Sequence, residues 1–339
     1  MYSYQSHRMT TIKTTYLRFL APALICCLML LNSCQRDLDY IVQNPNAGPD
    51  TTWVNTPDSS MPVGQLQNAL LLQTRTDSFT LNAGTAITVD LSSGLRAAVT
   101  AGALWNDSSL PAFGLIHARS LLLTRKGDFI RMGITTSESD RALETGGAYF
   151  LRFQKDQEEL HVSQGRQIIG IFDAPATFQD MSVYSGSATT IPLMFDWSRV
   201  QDSLNNFVVA PGQSYSVYSN KLNWISASRP AASIQQNTTR IALDLPSNYT
   251  NQNSKAYIVL NNKLCIVPMP GNASLRQFIS YPVLSGEQAT VVVISRQGND
   301  YFMGTQQITT NPVTTGTQLV SVTPTITTLN NMITFLNSL

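Results

Sequence analysis

The stretch "GGAYFLRFQKDQEELHVSQGRQIIGIF", residues 146–172, decides the fold class. Two runs of aliphatic and aromatic residues, Ala148–Gln154 and Leu160–Val162, flank the polar "KDQEE", which is the make-up of a β-hairpin and its loop. The same pattern continues outward in both directions. "SLLLTRKGDFIRMGI" (120–134) and "SYSVYSNKLNWISA" (214–227) are short apolar runs broken by polar or glycine-containing turns. "NNK" at 261–263 joins two further runs, and asparagine tolerates the positive φ of tight hairpins; "ISRQGNDYF" around Gly298 repeats the arrangement. Strands this short with turns this frequent predict an all-β chain of tandem β-sandwich domains.

Only the end of the chain has helical spacing. In "TITTLNNMITFLNSL", Ile326, Leu329, Met332, Ile333 and Leu336 fall on one helical face, with Thr327 or Thr328 as cap. The expectation is a short C-terminal α-helix closing the second domain.

The start of the chain gives an address. Arg8, Lys13 and Arg18 precede an apolar run from Phe19 to Leu31, and no acidic residue occurs before Asp37. A membrane-spanning helix needs about 20 apolar residues, so this shorter run has the layout of a cleaved signal peptide. Met9, followed by Lys13, offers an alternative start with a more ordinary basic region. The run ends in "LNSC", which resembles the lipobox of bacterial lipoproteins, and that resemblance implies acylation of Cys34 after removal of residues 1–33. Of the four cysteines, Cys26 and Cys27 leave with the signal; with Cys34 acylated, Cys265 has no partner. Lying in the strand-like "NKLCIVPM", Cys265 is expected to be a small buried hydrophobe.

Loss of the signal removes three of the 22 Lys+Arg and none of the 21 Asp+Glu, leaving a formal charge of −2. That balance lacks the basic stripe of a nucleic-acid-binding protein. Membrane attachment is expected through the lipid on Cys34. Residues 34–62, rich in Asn, Asp, Pro, Thr and Ser, read as a flexible tether. Its Arg36, Asp37 and Asp39 resemble the charged export signals of Bacteroidota surface lipoproteins, which implies an outer-membrane, cell-surface location. The remaining length exceeds one sandwich. Pro175 in "FDAPATFQD" (172–180) suggests a boundary, giving a first β domain over 63–176 and a second over 177–339. "SASRPAASIQQNTT" (226–239) is a further Ser/Ala/Asn-rich break.

Through the residues "RKGDFIRMGITTSESDRALETGGAYFLRF" (125–153), the stretch from Ser78 to Pro175 resembles a β-sandwich module of zona-occludens and netrin-receptor proteins that also occurs in uncharacterised Bacteroidota lipoproteins. "LETGG", Leu143–Gly147, carries most of the likeness; Gly146 and Gly147 would admit a backbone angle closed to other residues. "KLNWISASR" (221–229) is similar to the Gly-Trp-Ile-Asn segment that follows the module in those lipoproteins. Where the module usually has an Ile-Pro-rich turn, this chain reads "ITVDLSSGLRAAVTAGAL" (87–104). It also lacks the His-Phe-Ser sequence at which some relatives cut themselves. The resemblance implies a structural or adhesive role and no chemistry.

Motifs for chemistry are sparse. His117 and His161 both fall in strand-like runs, without H-E-x-x-H, Cys-x-x-Cys, G-x-S-x-G or a phosphate loop. His117, Ser120 and Asp128 form a triad only on paper. Glu158 and Glu159 are adjacent, so a strand would point them to opposite faces. Asp196, Asp202, Asn205 and Asn206 offer oxygen ligands without the regular spacing of a calcium loop. Triplets at Asp50 ("DTT") and Asp202 ("DSL") resemble Bacteroidota O-glycan acceptor sites. The reading is therefore no metal, no cofactor and no catalytic residue. The candidate ligand-binding residues are aromatic: Tyr184, Trp197, Tyr215, Tyr218 and Trp224, which on an exposed sheet would stack against sugars. A non-enzymatic interaction module with a protein partner is the leading expectation, and a glycan-binding surface lipoprotein the alternative.

Overall fold

The computed structural model describes residues 52–189, 193–232, 237–311 and 317–339. The signal peptide, Cys34 and Asp50 lie outside the described residues. Strands account for 49% of the chain and helices for 9%, so the fold is all-β as the alternating sequence predicts.

The first sandwich has a large antiparallel sheet in the order Arg75–Leu81, Gly114–Leu123, Arg141–Lys155, Asn223–Pro230, Ser182–Ala188, Phe195–Arg199. Its partner sheet runs Phe207–Val209, Ser214–Ser219, Ile168–Asp173, Arg96–Val99, Ile87–Asp90. Phe79, Ile116, Tyr149, Phe153, Phe172 and Tyr215 are buried in the core between them. The opening hairpin is present: Phe153 pairs with Leu160 and Lys155 with Glu158, around Asp156 and Gln157 at φ 49° and 71°. Positive φ at both turn residues suits the twist of a two-residue hairpin.

The second sandwich has a five-stranded sheet, Ile266–Met269, Ser254–Leu260, Gln288–Gln297, Asp300–Thr309, Thr325–Thr327. It faces a four-stranded sheet, Gly271–Asn272, Gln277–Ile279, Ile241–Asp244, Gln318–Ser321. The "NNK" segment and Gly298 make the expected hairpin connections, the latter at φ 58°. Cys265 is fully buried in this core, where desolvation pushes its thiol up to about 12.

A third core joins the two sandwiches. Three helices supply it: α1 (Pro62–Leu70), α2 (Lys126–Met132) and α3 (Leu329–Ser338). Leu66 and Leu70 of α1, Phe129 and Ile130 of α2, and Met332 and Leu336 of α3 are all buried there. Leu121, Leu123 and Trp197 reach it from the outer face of the large sheet, and Tyr257, Val259, Val292 and Ile294 from the second sandwich. Period-2 alternation explains this double use. On Ser254–Leu260, the residues Ala256, Ile258 and Leu260 fill the second core while Tyr257 and Val259 fill the third.

Several expectations are corrected. Strand pairing crosses residue 176: Ile168–Asp173 pairs with Ser214–Ser219, and Arg141–Lys155 with Asn223–Pro230. The change from one set of sheets to the other therefore falls after Pro230, within the 226–239 break, and not at 176–177. Within "SLLLTRKGDFIRMGI" the strand ends at Leu123 and α2 begins at Lys126. Gly133 ends that helix at φ 66°, its N–H donating to Ile130 O at 3.0 Å. The tether stops short of residue 62. Trp53 packs on Phe278 with centroids 5.1 Å apart, and Val54 N–H donates to Asn251 Oδ1 at 3.0 Å, so the chain is already docked on the second sandwich at residues 53 and 54. At the C-terminus, Thr328 Oγ1 caps α3 by accepting from Asn331 N–H at 3.1 Å. Ile326 lies outside the helix, exposed on the strand Thr325–Thr327.

Candidate functional site

The feature that sheet alternation leaves unexplained is a lysine. Lys255 precedes Tyr257 and Val259 on the face of Ser254–Leu260 that meets the helices, opposite Ile294 of the next strand. A cation on such a face needs partners. Lys255 Nζ donates to Gln67 Oε1 at 2.8 Å and makes a longer contact with Leu193 O at 3.4 Å. Gln67 is a buried polar residue of α1, and its Nε2 donates to Arg131 O of α2 at 2.6 Å. That bond fixes the amide with its oxygen toward Lys255. Gly133 makes room for it, since a Cβ there would sit 2.7 Å from Gln67 Oε1.

Beside this relay lies a cavity of about 210 Å³. Val63, Thr135, Phe195, Lys255, Tyr257 and Met269 are among its walls, so α1, the first sandwich and the second all contribute. Among the described residues no carboxylate comes within ion-pair distance of Lys255. Burial lowers its ammonium from the ordinary 10.5 to about 8. Tyr257 is 3% exposed, and its hydroxyl has no hydrogen-bond partner among the described residues. Burial raises its pKa, so the hydroxyl stays protonated and able to donate.

The five aromatics singled out from the sequence do not form a platform. Tyr184 and Trp197 are buried in the third core and Tyr215 in the first. The outer face of the large sheet, where the first two point, is covered by helices and by the second sandwich instead of solvent. Trp197 Nε1 donates to Thr135 O at 2.7 Å, while the Tyr215 hydroxyl accepts from Phe178 N–H at 2.8 Å. Trp224 is half-buried against Phe150 and Phe195. Tyr218, on the opposite strand face from Tyr215, stacks on Phe207 with centroids 4.3 Å apart and planes 13° apart.

The paper triad is not assembled. His117 and Ser120 occupy opposite faces of one strand; His117 Nδ1 bonds Ser78 Oγ at 2.8 Å, and Ser120 Oγ bonds Ser93 Oγ at 2.7 Å. Asp128 is on α2, partly buried, with its pKa raised by desolvation. His161 Nε2 meets Asp107 Oδ1 at 2.7 Å on the exposed surface. Glu159 pairs with Arg152, whereas Glu158 Oε1 accepts from Asp107 N–H at 3.1 Å. Asp196 accepts twice from Ser139 N–H, apart from the Asp202 loop. In that loop Asp202 Oδ2 accepts from Asn205 Nδ2 at 2.8 Å, and Asn206 Oδ1 accepts from Ser219 Oγ at 3.1 Å.

The resembling segments do meet. Thr145 pairs with Ser228 across adjacent strands, and Thr145 Oγ1, Ser226 Oγ and Ser228 Oγ form a buried chain at 2.9 and 2.6 Å. Arg229 bridges buried Glu144 at 2.9 Å and exposed Asp180 at 2.7 Å, its guanidinium 3.9 Å from the Phe178 ring centroid. These contacts tie Arg141–Lys155 to Asn223–Pro230 within the large sheet. No protein-family model matches the chain, and the search of curated proteins found no match.

Proposed function

We propose that this is a lipid-anchored outer-membrane protein whose two sandwiches act as a non-enzymatic structural or interaction module displayed at the cell surface. Cys34, acylated after loss of residues 1–33, holds the membrane, and the segment before Trp53 spaces the body from it. The observation that carries the reading is the third core. Two sandwiches fused through Leu66, Phe129, Trp197, Tyr257 and Leu336 suit a rigid spacer or docking body better than a pair of hinged domains. An interaction role is further supported by the edge strand Phe207–Val209, where Phe207 and Val209 are 37% and 42% exposed, and by Leu204 in the turn before it, 86% exposed. Of the five aromatics behind the glycan-binding alternative, Tyr218, stacked on Phe207, and Trp224 are the half-buried ones and keep some accessible aromatic surface. Metabolic labelling with a radioactive fatty acid tests the anchor: wild type incorporates label and sediments with membranes, and Cys34→Ala does neither. Equal sedimentation of an unlabelled Cys34→Ala chain would overturn the reading.

A further inference from the structure

We propose that the cavity between the sandwiches binds a small monocarboxylate with an apolar body, its carboxylate seated on Lys255 Nζ. Three independent observations converge on this. The first is charge: the Lys255 ammonium faces the interior with two oxygen contacts, one of them long, and no carboxylate counter-ion among the described residues. An ammonium has three donors, so one remains for a ligand. Buried charges in folded proteins find partners, and a carboxylate oxygen meets the remaining donor of the ammonium. The second is the wall beside that ammonium: Tyr257, two residues along on the same strand face, lines the cavity while its hydroxyl is closed to solvent, so the surface it offers next to Lys255 is apolar. The third is preorganisation. Gln67 is held by Arg131 O and given space by Gly133, so its oxygen steers Lys255 without neutralising it.

The walls define the rest of the ligand. Val63, Phe195 and Met269 present apolar surface around a volume of about 210 Å³, larger than an apolar cavity of ~150 Å³ that takes up benzene. That accommodates a ring or a short aliphatic chain. Lys255 is the sole Lys or Arg among the wall residues, which suits a single negative charge and not a phosphate dianion. Burial of the ammonium, which lowers its pKa to about 8, leaves it charged at neutral pH and strengthens its pull on an anion at close range.

The test is calorimetric titration of the purified full chain with benzoate and hexanoate, each against its neutral amide, benzamide and hexanamide. At least one carboxylate should bind with one-to-one stoichiometry, about tenfold or more tighter than its amide, because a hydrogen bond to a charged group is at stake. Lys255→Gln, which keeps a polar, hydrogen-bonding end while removing charge, should weaken that carboxylate at least about tenfold. Thermal unfolding of that variant, at or above the wild-type midpoint, shows that lost binding is not lost folding. The proposal fails if neither carboxylate binds wild type at millimolar concentration. It fails equally if acid and amide bind alike, or if folded Lys255→Gln binds as well as wild type.

Discussion

Replacing Gly146 with alanine drives a methyl group into the ring of Tyr215. An ideal Cβ at residue 146 would lie 2.6 Å from Tyr215 Cζ and 2.8 Å from Cδ2, far inside contact distance. The ring has nowhere to go. Tyr215 is fully buried, packs on Phe172 with centroids 5.7 Å apart, and its hydroxyl accepts the Phe178 N–H. Overpacking a core typically costs about 1–3 kcal/mol, and a displaced ring also forfeits that hydrogen bond, so the expected loss is about 3 kcal/mol. Scaled for domains of roughly 150–250 residues, this lowers the melting temperature by about 6–12 °C. Urea unfolding followed by tryptophan fluorescence measures it, since Trp197 is buried in the adjoining core. The decisive comparison is a double-mutant cycle. In a Tyr215→Leu background, where the ring is gone, the same alanine should cost less than about 1 kcal/mol. Equal costs in the two backgrounds, or a single-mutant cost under about 0.5 kcal/mol, would refute the steric reasoning.

Three other perturbations separate parts of the structure. Arg229→Met leaves the Glu144 carboxylate buried without its cation, and unfolding titrations should show a loss of about 3–5 kcal/mol. Lys255 titrates lower in the folded protein, at about 8, than in the unfolded chain at its ordinary 10.5. The unfolded state therefore binds the proton more tightly across that window, and this residue's penalty is complete below about pH 8 and disappears toward 10.5. Stability of wild type relative to Lys255→Met should rise over that range. Raised tyrosine pKa values, at Tyr149 and Tyr257, act on both chains and cancel in the difference. Cys265, buried and with its thiol pushed up to about 12, should resist a thiol reagent at pH 8 in a Cys34→Ala chain lacking residues 1–33, and react as a single thiol in denaturant.

Hairpins were the legible part of this fold because their signals are local. "KDQEE", "NNK" and Gly298 each combine flanking apolar runs with residues that tolerate positive φ, and all three turns form. Thr328 capping and the Met332/Leu336 face are equally local. Long-range matters were less readable. Pro175 interrupts a strand-rich region, yet the chain after it returns to the first sandwich, because Ser214–Ser219 and Asn223–Pro230 find partners there. Nothing within a few residues of Pro175 encodes that pairing. The α2 segment reads as β because Phe129, Ile130 and Met132 are apolar and the helix spans only Lys126–Met132. In "LETGG", Gly147 has the expected positive φ of 148°, but Gly146 is required by the nearness of a ring that sits 69 positions away. The aromatics Tyr184 and Trp197 suggested an exposed surface, and only the third core reveals what covers them. For the cavity one local signal existed. Lys255 interrupts the otherwise apolar "KAYIVL" on the same alternating face as Tyr257 and Val259, which is unusual for a strand covered on both sides.

Protease treatment of intact cells, comparing wild type with Cys34→Ala, tests the proposed display most directly. The account predicts that the wild-type body is cleaved from cells whose periplasmic proteins remain intact, and that the Cys34→Ala chain is absent from the membrane fraction. A wild-type protein that resists protease on intact cells, yet is digested once the outer membrane is opened, would contradict surface display and place the module on the periplasmic side.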